Sequence, residues 1–116
     1  MIPIEINGRS SEFLFDPGAA SMGINQRYAE YFKIIVDPVR RQKIFPAHYE
    51  PVYTPIGRAE EIRVGGVIRK KLEVLIIPFP SESTIRGVIG MNFLKGLRFT
   101  VEMDTGTLIL REARKS

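Results

Sequence analysis

The sequence predicts an all-β domain, and three observations carry that reading. About seven short apolar stretches have strand-like character. Turn signals stand between them at Asn7-Gly8, Gly65-Gly66 and Asp104-Thr105-Gly106. Only two short stretches, after Asn25 and after Gly90, suit a helix.

Ile2, Ile4 and Ile6 alternate with Pro3 and Glu5, the pattern of a strand with one buried face. Asn7-Gly8 supplies the positive φ angles of a tight hairpin. The return strand ends in Phe13-Leu14-Phe15, apolar on both faces and therefore expected to be buried. At Asp16-Pro17-Gly18 the chain must leave the sheet. Proline has no N–H for a ladder, and Gly18 permits an unusual backbone angle.

Asn25 is placed to cap a short helix over Gln26 to Phe32. Pro38, Pro46 and Pro51 interrupt the stretch from Asp37 to Tyr53, which suits a mobile connection or an extended hairpin. Arg58 to Val64, the Gly65-Gly66 turn and Leu72 to Ile77 form a further hairpin. Val88-Ile89-Gly90 is a short strand ending at a glycine, with a helical turn from Met91. Leu97 to Met103 and Thr107 to Leu110 make the last hairpin. The strand Phe13-Leu14-Phe15-Asp16 and the strand Gly87-Val88-Ile89-Gly90 echo one another, each running into a glycine bend.

A chain of 116 residues suits one domain with one modest core, spanning 1–116. An extended substrate groove would then need a second chain. With no cysteine, disulfides and thiolate metal sites are excluded. With His48 alone, a multi-histidine metal site in one chain is excluded and a Ser-His-Asp mechanism is disfavoured. No metal and no cofactor are expected. No run approaches the ~18 apolar residues of a membrane span, and the start lacks a signal-peptide pattern, so the expected location is cytoplasmic. The net charge is +4, but the basic groups Arg40-Arg41-Lys43, Arg69-Lys70-Lys71 and Arg111 to Lys115 are short and dispersed. They read as solvated faces, and no nucleic-acid partner is expected; a small β-barrel binding a polyanion is the weakest reading.

The residue pattern that carries chemistry is a carboxylate at the end of an apolar strand on a glycine loop. One Asp cannot be acid and base at once. Two carboxylates about 3 Å apart cannot both ionise and share a proton. The ionised one then takes a proton from water while the other protonates the scissile carbonyl. A two-fold dimer supplies the second Asp without further sequence.

Phe13-Leu14-Phe15-Asp16-Pro17-Gly18-Ala19-Ala20-Ser21 resembles the apolar-Asp-Thr-Gly-Ala segment of retropepsin-like aspartic proteases. About seventy positions later, Val88-Ile89-Gly90-Met91-Asn92-Phe93-Leu94 resembles the second signature of that family. The closing hairpin also resembles the ending of prokaryotic members. The resemblance implies a closed acid-protease barrel with one or two short helices. It implies a homodimeric endopeptidase acting on a peptide or protein substrate. Asp16 is then the catalytic carboxylate, with Pro17, Gly18 and Ala19 as its loop. A flap hairpin is expected between about Ile44 and Gly57, with Tyr49 and Tyr53 as its candidate substrate-binding aromatics.

Where the family has Thr or Ser, this chain has Pro17, which offers neither hydroxyl nor N–H. The family's hydroxyl braces the facing loop across the dimer. Its absence leaves a second reading open: a catalytically silent dimer that binds peptides or acts as a scaffold. A literal Asp-Thr-Gly does occur at Asp104-Thr105-Gly106, but between two strands it reads as a hairpin turn. His48 reads as an exposed loop residue, and Asn92 as a structural residue that fixes the helical turn.

Overall fold

A computed structural model describes residues 1–45, 50–102 and 104–112. Asn7 and Gly8 take φ angles of 50° and 83°. They join β1 (Ile2–Ile6) to β2 (Arg9–Phe15) in an antiparallel hairpin that sets Ile4 opposite Ser11. The Asn7 side chain locks this turn onto its surroundings. Its Nδ2 donates to the Phe32 carbonyl at 2.8 Å, and its Oδ1 accepts from the Glu61 amide at 3.0 Å.

β3 (Met22–Asn25) follows the loop after β2 and is wholly buried. Asn25 does cap the next segment, its Oδ1 accepting from the Arg27 amide at 3.1 Å. The expected helix is shorter than the sequence suggests. Only a 3-10 turn forms at Gln26–Tyr28, followed by turns to Lys33. Lys33 has φ of 55°. That left-handed angle ends any helical continuation. Phe32 is fully buried and meets the Phe13 ring edge-on at 5.7 Å. Aromatic packing therefore fixes this segment.

The stretch that proline made hard to read is a long hairpin. β4 (Ile35–Ile44) pairs with β5 (Val52–Val64), with a register shift between Val36 and Arg41. Asp37-Pro38 falls inside that irregularity, where a residue without an N–H is tolerated. β5 turns at Gly65-Gly66 into β6 (Val67–Ile77), and Gly65 has φ of 58°. β7 (Gly87–Ile89), α1 (Met91–Leu94) and the hairpin of β8 (Leu97–Glu102) with β9 (Thr107–Glu112) complete the order.

The strands run β1-β2-β7-β3-β6-β5-β4, and a further β1–β5 pairing closes six of them into a barrel. β4 lies outside that closure as an edge strand. Inward-facing strand residues fill the barrel together with Phe93 of α1: Ile4, Ile6, Phe13, Ile24, Ile62, Val74, Ile89 and Phe93 are at most 3% exposed, and Ile24 lies on β3, a strand that the sequence did not announce. Burying each such side chain stabilises by about 1.5–3 kcal/mol before entropy is set against it. Leu14 departs from expectation, being 39% exposed. Successive residues of a strand face opposite ways, and Phe13 takes the inner face. No helix among the described residues is long and apolar enough to cross a membrane.

Candidate active site

The two echoing strands lie side by side. β2 and β7 run parallel, with Leu14 opposite Val88 and Phe15 opposite Ile89. β7 also pairs antiparallel with β3, so it is wedged between the two strands that flank the Asp16 loop. Gly87 is needed for that wedge: a Cβ there would fall on the Phe13 ring and the Gly23 carbonyl.

The ladder carries on for one residue past β2. The Asp16 amide donates to the Ile89 carbonyl at 3.0 Å. Pro17 then stops it, and the chain turns, with the Ala19 amide donating to the Asp16 carbonyl at 3.0 Å. Pro17 occupies the second position of this turn, where its fixed φ suits the geometry. Inside the turn the Gly18 amide donates to the Asp16 carboxylate Oδ1 at 3.1 Å. The unusual backbone angle expected of Gly18 is not present, since its φ lies outside the left-handed region. Glycine serves here by its size: a Cβ would stand 3.2 Å from Asp16 Oδ1 and crowd the carboxylate.

The second motif braces the first. The amides of Met91 and Asn92, at the start of α1, donate to the carbonyls of Ala19 at 2.8 Å and Ala20 at 3.0 Å. A Cβ at Gly90 would collide with the Ser21 backbone, so only glycine lets α1 approach the loop so closely. The Asn92 side chain, expected to fix the helical turn, instead bonds outside it. Its Oδ1 accepts from the Met22 amide at 2.7 Å and its Nδ2 donates to the Glu73 carbonyl at 2.7 Å, clipping α1 to β3 and β6.

Arg69 is the supporting residue that the sequence did not single out. It sits in a short basic run that reads as a solvated face. Its Nε donates to the Phe93 carbonyl at 3.1 Å and its Nη2 to the Lys95 carbonyl at 3.1 Å. Its Nη1 lies 3.5 Å from Glu112 Oε1, and its guanidinium stands over the Phe93 ring, 5.7 Å from the centroid. Nothing local distinguishes Arg69 from Lys70 or Lys71, because its partners are carbonyls more than twenty residues away.

Asp16 is partly exposed, and Pro17 and Gly18 are exposed. Among the described residues no cluster of three or more His, Cys, Asp and Glu is placed to hold a metal. Around the loop lie apolar side chains open to solvent: Leu14, Met91 and Phe99, the last packed edge-on against Phe15 at 5.2 Å.

The segment where a flap is expected, Ile44 to Gly57, runs from the end of β4 into β5. Tyr53 sits on β5 opposite Lys43, is 63% exposed, and has the Lys43 ammonium 5.9 Å above its ring. Tyr49 and His48 lie outside the described residues. Asp104-Thr105-Gly106 forms the exposed turn between β8 and β9, with Gly106 at φ of 68° and the Thr105 and Thr107 hydroxyls 2.7 Å apart. Its place at a turn agrees with the hairpin reading.

A family model described as aspartyl protease matches residues 2–93. Among solved structures, a retropepsin-like aspartic protease from Rickettsia conorii superposes with a TM-score of 0.69 at 14% identity, over 94% of this chain and 78% of that one. The retroviral protease-like domain of Ddi1 from Leishmania major gives a TM-score of 0.59 at 19% identity, over 92% and 79%. The simian foamy virus (mac) protease gives 0.55 at 17% identity, over 80% and 89%. No curated protein matches the chain significantly. The closed barrel is therefore retropepsin-like in fold, and by its match over most of its length the chain belongs to the aspartyl protease family.

Proposed function

We propose that two copies of this chain, each a single 1–116 lobe, form an aspartic endopeptidase whose reacting groups are the two Asp16 carboxylates. The observation that carries this is the braced position of Asp16, at the end of β2 with the Gly18 amide on its Oδ1 and α1 holding its loop. Each chain contributes one such carboxylate, and the reaction needs an acid and a base. A two-fold axis passing by the loop supplies both. The exposed Leu14, Met91 and Phe99 offer apolar surface for that contact.

Two facing carboxylates share one proton, because a second negative charge so close is strongly disfavoured. The ionised Asp16 takes a proton from a water molecule as its oxygen attacks the peptide carbonyl carbon. The protonated Asp16 of the other copy gives its proton to the carbonyl oxygen. The gem-diol then collapses: the Asp16 that took the water proton passes it to the departing nitrogen, a gem-diol hydroxyl gives its proton to the other Asp16, and the C–N bond breaks. The β4–β5 hairpin would fold over the bound peptide with Tyr53 on it, Tyr49 is the second aromatic proposed for that contact, and the reading includes a cytoplasmic location.

The test is cleavage of a peptide library by the pure chain between about pH 3 and pH 7, beside Asp16→Asn. Acid-favoured cleavage that disappears in Asp16→Asn supports the reading. Absence of cleavage throughout that range by a dimeric preparation sinks it.

One observation favours a second reading. Pro17 is exposed on the loop and offers neither a hydroxyl nor an N–H to donate across a dimer axis. A silent dimer that binds peptides or serves as a scaffold follows if that bond is required. Pro17→Thr separates the two: a large rise in cleavage from an inactive parent identifies proline as the lesion.

A further inference from the structure

β2 has an open edge away from the Asp16 loop. On one side β1 pairs with it from Arg9 to Phe13. On the other side β7 covers only Leu14 and Phe15. In an antiparallel pair, alternate residues direct their N–H and C=O groups away from the partner. Along Ser10 to Glu12 those outward groups therefore face a place where a strand is missing.

That place is a hollow of about 410 Å³, lined by Ser10, Ser11 and Glu12 on one wall and Thr84 and Arg86 on the other. Every lining residue is polar. The Ser11 hydroxyl oxygen is buried and has no hydrogen-bond partner among the described residues. A buried hydroxyl left unpaired is uncommon and calls for a partner.

The two charged residues of the hollow do not satisfy each other. Glu12 and Arg86 make no salt bridge among the described residues, and the Arg86 guanidinium is held over the Tyr28 ring at 5.0 Å. One wall thus carries a carboxylate and the other a guanidinium, while the hydroxyls and the outward N–H and C=O groups of β2 both donate and accept. A free anion would meet Glu12, and a free cation would meet Arg86. The complementary group is neutral and carries a donor and an acceptor together, as a peptide unit does.

We infer that this hollow is a secondary binding site for an extended polypeptide segment, which adds as a strand to the open edge of β2 beside Thr84 and Arg86. Main-chain hydrogen bonds to Ser10–Glu12 would give the affinity, and the Ser11 hydroxyl, Glu12 and Arg86 would meet the segment's polar groups. The inference rests on the peptidase reading in one respect: the segment is taken to belong to the polypeptide substrate, away from the bond that is cut.

The test uses the full chain carrying Asp16→Asn, so that binding is read without cleavage. The probe is a capped heptapeptide of alternating Thr and Val, followed through the amide chemical shifts of the protein. Titration is expected to move the signals of Ser10, Ser11, Glu12, Thr84 and Arg86. The same peptide with alternate backbone nitrogens methylated is expected to move none of them. Thr84→Trp, which fills the hollow from an exposed position, is expected to weaken binding about tenfold. Shifts confined to residues around Asp16, equal shifts from the methylated peptide, or no shifts at all overturn the inference. Shifts at the hollow together with a wild-type chain that cleaves nothing leave the binding site standing and remove only the peptidase reading.

Discussion

Asn92 Oδ1 accepts a hydrogen bond from the Met22 amide at 2.7 Å, across seventy residues of sequence. The same side chain reaches Glu73 with its other end. One amide group thus ties α1, β3 and β6 together immediately behind the Asp16 loop. Asn92→Ala leaves the Met22 amide without that acceptor and the Glu73 carbonyl without that donor. A loss of about 1–3 kcal/mol is expected, read as a lower midpoint in urea unfolding. Asn92→Asp keeps the acceptor, turns a carboxylate toward the Glu73 carbonyl, and is expected to fall no closer to the wild type than Asn92→Ala does. An unchanged midpoint in both variants would show that the clip adds nothing to stability.

Gly18→Ala separates stability from chemistry. The backbone angle at Gly18 lies outside the left-handed region, so a side chain is tolerated there. The substitution should leave the fold as stable as before, or more stable by about 0.4–1 kcal/mol through the unfolded state. The added methyl group, 3.2 Å from Asp16 Oδ1, displaces the carboxylate. Cleavage is expected to fall about tenfold or more, since small misplacements of reacting groups are costly. Parallel thermal melts and kcat/KM measurements check this. Equal activity would mean that the carboxylate tolerates the crowding.

Arg69→Ala removes the donor shared by the Phe93 and Lys95 carbonyls at the far end of α1. A destabilisation of about 1.5–3 kcal/mol is expected, because the lost bonds come from a charged group. Arg69→Lys should recover only part of it, as an ammonium lacks the planar fork that reaches two carbonyls. Unfolding curves of the two variants decide the point. Full recovery by lysine would assign the effect to charge alone.

Asp37 gives a pH dependence with a definite sign. The amides of Arg40 and Val39 both donate to its carboxylate and hold its pKa below the ordinary carboxylate value, with the Arg40 charge adding to this. A lowered folded value means stabilisation that is fully present above the ordinary carboxylate range and lost as pH falls through the lowered value. The stability deficit of Asp37→Ala should therefore be constant above about pH 5 and shrink toward about pH 2. Denaturant titrations across that range would show it. A deficit that stays level into acid would exclude the ionised carboxylate as its source.

Much of the barrel is readable from local pattern. Ile2, Ile4 and Ile6 announce an inner face, and Asn7-Gly8 and Gly65-Gly66 announce their turns through backbone angle. Asp16 stands out through its strand and loop, and the echo between Phe13–Asp16 and Gly87–Gly90 points to strands that the fold sets in parallel. The β4–β5 hairpin is obscure because proline breaks its alternation. The short turn after Asn25 reads as a longer helix because its pattern ignores how Phe32 must reach Phe13.

The sequence by itself determined the all-β class, the hairpin turns and the carboxylate on its glycine loop. These depend on residues a few positions apart, through strand alternation, the φ range of glycine and asparagine, and the missing N–H of proline. The tertiary structure alone decided that α1 holds the Asp16 loop through Ala19 and Ala20, that Arg69 holds α1, and that β2 keeps an open edge beside Arg86. Each of these relies on backbone groups, which every residue carries alike. Their partners are chosen by packing across the barrel, where sequence pattern leaves no mark.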